Sequence, residues 1–484
     1  MITVMSMGKA LSDVRRFLLS RRFFLILILL GSAVFVLGSV MLGIPPSDMY
    51  DGPRVASVQV AGVVFFVLLI CVILVVSDDI TAVFCPFLIL CVFACDCYNS
   101  FDVFIGYWWL AIPAALSLAF HFIRYRMPPR AGSSIWGIAA VGAAVLLGGL
   151  GSITAEEYFA PVTLYYTLSL SFGMIVAYLA MRSQLERQVE YDRFAKFAEI
   201  MYAMGMFVCL EVLWNCLIRF DVILSSGRVP EIQQHSNFST FLLFALPYPL
   251  YFARQRRLHL VAEVLMLFCL FISGSRGGLV SAVIMLPFLL VYLVLTSGTP
   301  ARKKSNLIIA AVTAAVGIAA VCAVIRFFDL GNGGFITCDE PRYRLIRRAL
   351  QAFRDNPLFG AGLGSTANTD IYSPKKGAFY WYHSMPLQLI GSLGIFGTAA
   401  YFFQALLRML TVTRRLDCTT AALGLGYLAV LIMSCFNPGE FVPVPYELMV
   451  VAMFAMAEVC SGTDGGLPRR RHTCPLPQAE LPAP

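Results

Sequence analysis

Apolar positions in this chain neither alternate nor keep to one face of a helix. They run on for about 15 to 24 residues at a time, long enough or nearly so for a helix to cross roughly 30 Å of hydrocarbon. Such runs recur at 23–43, 55–76, 80–97, 104–122, 133–151, 159–181, 197–218, 236–253, 260–274, 279–296, 306–325, 383–407, 419–436 and 446–460. The pattern predicts an all-α fold, a polytopic transmembrane bundle of about fourteen spans, with twelve as the nearest alternative. The first run follows Arg21-Arg22 and ends in Gly43-Ile44-Pro45-Pro46 without a small-x-small cleavage site, so it reads as an uncleaved first helix. The chain then divides into a segment 1–22, helices 1–11 over 23–325, a large loop 326–382, helices 12–14 over 383–460, and a tail 461–484.

Only the loop 326–382 shows a different period. Leu345, Ile346, Ala349, Leu350 and Phe353 recur at helical spacing, with Arg342, Arg344, Arg347, Arg348 and Arg354 around them. This predicts an amphipathic helix, ended at Asn356-Pro357. Gly360-Ala361-Gly362-Leu363-Gly364 follows as a tight, irregular turn. No strand precedes it and no Lys-Ser/Thr follows it, so it is not a nucleotide-binding loop.

Composition agrees with residence in lipid: 59% of residues are hydrophobic and 13% charged, and mean hydropathy is +0.78. Charge sets the orientation. Two thirds of the 36 basic residues fall in the N-terminal segment, in alternate connections and in the tail, which predicts that both termini are cytoplasmic. Arg182 and Arg408 are counted in those connections. Eight of the remaining dozen lie in 326–382, leaving Arg54, Arg219, Arg228 and Arg276 in the short external turns. The 14 Cys lie mostly in apolar runs without a CxxC pair, and neither a disulfide framework nor a metal site is indicated.

Candidate chemistry is sparse. By the same topology, His121, His259 and His472 fall on the cytoplasmic side, and His235 and His383 on the external side. Ser273-Gly274-Ser275-Arg276-Gly277-Gly278 interrupts two apolar runs with one Arg. Its plain reading is a turn whose Arg snorkels to headgroups; its sharper one is backbone amides and a guanidinium converging on a phosphate. The basic helix in the loop has a similar pair of readings, resting on anionic headgroups or forming an anion site. Glu211, inside the seventh run, keeps a transporter reading open or serves as a buried partner for an Arg.

His383-Ser384, followed after nine residues by Gly394-Ile395-Phe396-Gly397, resembles the His-[Asn/Ser/Gln]-x9-Gly-x-x-[Gly/Thr/Tyr] signature of bacterial O-antigen ligases. Two further segments are similar, in the same order, to the wider O-antigen ligase and polymerase superfamily. They are Ser275-Arg276-Gly277 ahead of a span, and Arg342 with Ala349-Leu350 leading into Asn356-Pro357-Leu358-Phe359-Gly360. Arg228-Val229-Pro230 to His235-Ser236-Asn237-Phe238 is similar to the family's Arg-x-x-Gly-x-x-x-Pro-Asn stretch, without its Gly and Pro. The likeness covers roughly 219–410, and family members commonly have about twelve spans.

The resemblance implies transfer of a glycan from undecaprenyl diphosphate to an acceptor hydroxyl at the external face of the bacterial cytoplasmic (inner) membrane, with no metal or other cofactor. His383 would take the acceptor proton, and Arg276, Arg228 and Arg342 would hold the departing diphosphate. Ser275, Gly277, Arg219, Asn237 and Ser384 would support them. The implied partners are the lipid-linked glycan donor, a lipid or glycan acceptor and membrane lipids, with no nucleic acid. A polymerase of the same superfamily, joining lipid-linked repeat units, is the near alternative. A secondary transporter or flippase predicts functional charges within the bundle and an internal repeat, and no repeat is apparent. A scaffolding protein leaves the external arginines unexplained.

Overall fold

The computed structural model describes residues 13–42, 57–96, 108–125, 128–148, 150, 161–187, 191–218, 220–221, 235–273, 275–327, 340–363, 382–437 and 439–461. In chain order the helices are α1 (Arg21–Leu42), α2 (Ser57–Val76), α3 (Thr81–Asp96), α4 (Ala111–Tyr125), α5 (Ser134–Gly148), α6 (Pro161–Leu168), α7 (Met174–Arg187) and α8 (Arg193–Ile218). They continue with α9 (His235–Ala245), α10 (Pro247–Ala253), α11 (His259–Ile272), α12 (Arg276–Leu295), α13 (Pro300–Phe327), α14 (Glu340–Asp355), α15 (Met385–Gln388), α16 (Gly394–Thr413), α17 (Cys418–Ser434) and α18 (Leu448–Ser461). Widened π turns at Ser169–Gly173, Leu389–Leu393 and Pro443–Glu447 join α6 to α7, join α15 to α16 and precede α18.

A helix stands at each of the apolar runs, and the described residues contain no strand. Six helical segments among them are long and apolar enough to cross a membrane: Arg21–Gly38, Thr163–Arg187, Arg193–Ile218, Arg276–Leu295, Met385–Thr413 and Pro443–Ser461. Shorter apolar helices accompany them. The outer surface is apolar as well, with Leu29, Val72, Leu116, Phe402 and Leu295 exposed. That inverts the soluble rule and suits contact with lipid. The chain is a multi-pass membrane protein.

The core gathers where helices are apolar all round. From Phe238 to Ala253, α9 and α10 are buried throughout. They pack between α8, α11, α12 and α17. On the other side, α16 lies along α5, and α18 lies against α7 and α17.

Two arginines correct the charge reading. Arg182 lies within α7 and Arg408 within α16, each only 1% exposed. The apolar runs end before them, whereas both helices continue, to Arg187 and Thr413. Hydropathy stops a span at the first Arg, because it cannot see a carboxylate supplied from elsewhere in the chain. Glu458 of α18 supplies one: its Oε2 lies 3.4 Å from Arg182 Nε. The same carboxylate accepts from the Tyr178 hydroxyl, the Ser133 hydroxyl (2.9 Å) and the Ser134 amide (2.7 Å), which ties α18 to α7 and to the start of α5.

Arg182→Met leaves that carboxylate buried without its cation and is expected to destabilise the protein by about 3–5 kcal/mol. Arg182→Met with Glu458→Gln should recover most of the loss, because no uncompensated charge remains. Thermal unfolding in detergent compares the two variants.

Candidate functional site

Among the described residues singled out from the sequence, those of α14 and of the His383 turn are brought together, through packing that the apolar pattern does not reveal. α14 buries Leu345 (1% exposed), Ala349 (0%) and Ala352 (6%) along one face. Leu345 and Ala349 form a small cluster with Tyr382, on the π turn that joins α15 to α16. Arg342, Arg344, Arg347, Arg348 and Arg354 remain exposed around the rest of the helix. The amphipathic helix is thus docked by its apolar face onto protein, and its basic face is presented outward. Arg347 lies over the Tyr343 ring at 4.6 Å.

The chain after α14 is held equally firmly. Ala361 and Gly362 donate amide hydrogens to the carbonyls of Gly391 and Ser392, each at 2.9 Å. Ile395 and Phe396 donate in return to Pro357 (2.9 Å) and Leu358 (3.1 Å). These four bonds satisfy carbonyls that the π turn releases and amides at the first turn of α16.

The contact is close enough to dictate glycine at both sides. Gly360 and Gly394 take φ of +69° and +64°. A Cβ on Gly360 would lie 2.3 Å from the Ser392 carbonyl carbon, and one on Gly394 would lie 2.6 Å from the Pro357 oxygen. The glycine of the His-x10-Gly pattern and the glycine-rich turn upstream are therefore two sides of one interface.

His383 sits at the edge of this docked assembly. It is exposed, and with φ +49° it is the one non-glycine residue of positive φ among the described residues. Its neighbour Tyr382 is 2% exposed, with the ring packed on Gly391, and its amide donates to Gln388 Oε1 (3.1 Å). Gln388 Nε2 donates in turn to Ser392 Oγ (3.0 Å). The left-handed backbone at His383 costs about 1 kcal/mol or more and is held by these anchors on either side. Burial pushes the Tyr382 phenol up from its ordinary value, with the nearby Arg348 charge opposing. Gln388, buried and placed to orient the histidine's backbone, is a site residue that sequence reasoning missed; a Gln inside an apolar run was its signal.

Arg276 opens α12 and is exposed. Ser275 caps that helix, its hydroxyl accepting from the Gly278 amide at 3.1 Å. The small residues beside it have a steric cause. A Cβ on Gly277 would lie 2.8 Å from Phe436 Cβ at the end of α17, and one on Gly278 would lie 2.6 Å from Ser239 Cβ of α9. Asn237, in the first turn of α9, accepts a hydrogen bond from the Tyr446 hydroxyl at 2.7 Å.

The segment after α17 joins these parts: Phe436 packs at Gly277, and Phe441 shares an apolar cluster with Met385, Leu389 and Leu393. Ser384 is half-buried and precedes α15 without capping it by its side chain. Arg219, Arg228, the side chain of His235, and the parts of the 326–382 loop at 328–339 and 364–381 lie outside the described residues.

Residues 261–402 match the O-antigen ligase family. No curated protein matches the chain. The matched segment is under a third of the length, yet it runs from α11 into α16 and so includes Arg276, α14 and the whole His383 signature. By this match the segment 261–402 is similar to O-antigen ligases. Asn237, Phe436 and Phe441 lie outside the match, although Phe436 and Phe441 pack against it.

The remaining candidates divide. His121 is fully buried, with Nδ1 2.9 Å from the Leu74 carbonyl oxygen, a structural position. Glu211 is buried at 1% exposure. Arg182, Arg408, Glu440, Glu447 and Glu458 also stand inside the bundle. They are paired with one another across helices, which is a structural arrangement that a transporter reading does not require.

Proposed function

We propose that this site transfers a glycan from undecaprenyl diphosphate to an acceptor hydroxyl at the external face of the bacterial cytoplasmic membrane, in the manner of an O-antigen ligase. The observation that carries the reading is the docked pair formed by α14 and the His383 turn. It sets an exposed histidine, on left-handed backbone, next to a helix with five exposed arginines. An exposed histidine has a proton affinity suited to general-base work near neutral pH. Arginine forks match phosphate oxygens two at a time.

In the proposed reaction, His383 accepts the proton of the acceptor hydroxyl as its oxygen attacks the anomeric carbon of the donor sugar. The bond from that carbon to the diphosphate oxygen breaks, and the electron pair leaves with the diphosphate. Arg276 stabilises the charge that develops there, aided by the positive end of the α12 dipole and by Arg342 on α14. The imidazolium then returns its proton to solvent or to the released polyprenyl diphosphate. Arg228 and Arg219 are proposed as further diphosphate contacts, and Ser275, Gly277, Asn237 and Ser384 as supports.

Arg276→Ala is expected to lower transfer by about 10²–10³-fold, the range for loss of one group that stabilises developing charge. The glycan profile of a deletion strain carrying the variant measures this against the amount of inserted protein. Transfer at the parental level would refute the assignment of Arg276. The same deletion decides between ligase and polymerase: a ligase leaves full-length glycan unattached, and a polymerase leaves short glycan attached.

A further inference from the structure

The segment between α17 and α18 departs from regular helix inside the bundle. Gly439 takes φ +50° and lies so near Ser434 that a Cβ would come within 2.0 Å of the serine hydroxyl oxygen. That hydroxyl accepts from the Glu440 amide at 3.1 Å. Pro443 and Pro445 remove two amide donors, and Val444 is extended at φ −124°, ψ 124°. Irregular backbone persists in a membrane bundle only where protein covers it. Here Phe441 stacks on Tyr166 and Tyr401, and Tyr446 stacks on Phe244.

The two carboxylates of this segment share one cation. Arg408 Nη1 pairs with Glu440, and Nη2 pairs with Glu447 at 2.7 Å. Gln404 Nε2 also donates to Glu447, at 2.9 Å. All three ionisable groups are no more than 2% exposed. The guanidinium lies over the rings of Tyr427 and Phe454, 5.4 and 5.3 Å away. A buried cluster of this kind adds little net stability over apolar residues of the same shape, because desolvation offsets the attraction. What it does is admit one arrangement, since any shift strands a charge. Glu440 and Glu447 bracket the irregular stretch, so Arg408 holds both of its ends. Phe441, within the stretch, clusters with Met385 beyond His383-Ser384, and Phe436, just ahead of it, packs against Gly277 beside Arg276, so the stretch and its approach touch both halves of the candidate site.

We propose that Arg408, through Glu440 and Glu447, is a positioning residue for the transfer reaction, fixing the spacing between Arg276 and His383. The proposal rests on the glycan-transfer reading above. Its test uses purified full-length protein added to membranes from the deletion strain, which supply both donor and acceptor. Apparent kcat and KM are obtained by titrating those membranes, and folded protein is measured by thermal unfolding.

Arg408→Lys keeps the charge and loses the fork, and it should lower kcat by about 10- to 100-fold with KM nearly unchanged, as expected for misplacement on the scale of an ångström. The neutral triple variant R408M/E440Q/E447Q should melt at or above the parent and show the same loss of kcat. Parental kcat in the triple variant overturns the proposal, as does a rise in KM alone or a fall in kcat matched by loss of folded protein in both variants. His383→Asn in the same assay separates the two claims. If His383→Asn turns over normally, the transfer site itself is misassigned; if it is inactive while both Arg408 variants are parental, only the positioning role falls.

Discussion

His383→Ala is expected to lower transfer by about 10²–10⁴-fold, the contribution of a placed general base. Two effects combine in that variant, because alanine removes the imidazole and is also poorly suited to φ +49°. His383→Asn separates them. Asparagine tolerates the left-handed region and offers no base near neutral pH, so it should keep parental stability and lose transfer to the same extent. His383→Gly should likewise fold, and added imidazole should restore part of its rate. If His383→Asn transfers glycan at the parental rate, the histidine serves the turn and not the chemistry.

Gly394→Ala should have the second-largest effect, although its position carries no chemistry. The new methyl would lie 2.6 Å from the Pro357 oxygen and 2.7 Å from the Gly360 nitrogen, both backbone atoms that cannot swing aside. The left-handed backbone adds about 1–2 kcal/mol of strain for any residue with a Cβ. The expected result is release of the 356–363 turn from the start of α16. Transfer should then fall below a tenth of the parental rate while the protein still inserts. Gly360→Ala, facing Ser392 at 2.3 Å, should reproduce it from the other side of the contact. Limited proteolysis within Asn356–Gly362 reports the release directly. Full protection of that stretch together with normal transfer in both variants would show that the docked turn is dispensable.

These outcomes depend on tertiary contacts, but the residues involved were largely marked in the sequence. The apolar runs foretold where the helices stand. The spacing of Leu345, Ala349 and the arginines foretold the amphipathic α14, and His383 with Gly394 drew attention as a pattern. What the pattern lacked was a cause. The structure provides it in the pairing of 357–362 with 391–396, contacts between segments some thirty residues apart whose intervening chain is partly outside the described residues. A glycine demanded by a neighbour's backbone looks, in sequence, like a glycine demanded by its own turn.

The two buried arginines escape the sequence for a related reason. Counting basic residues places each Arg by its distance from an apolar run, which puts Arg182 and Arg408 in connections. Glu458 lies 276 positions beyond Arg182, and Glu440 and Glu447 lie beyond the next turn and helix from Arg408. Only packing brings them together.

By itself the sequence determined that the chain is an all-helical membrane protein, because the length and apolarity of a segment are local properties and hydrocarbon accepts little else. It also marks the residues that the proposed chemistry would use, since an imidazole or a guanidinium keeps its character wherever it stands. The tertiary structure alone decided which of them meet, which face of α14 is covered, and which arginines are buried in pairs. Those outcomes depend on cross-chain partners, and charge compensation and close backbone contact belong to pairs of residues, not to positions in a sequence.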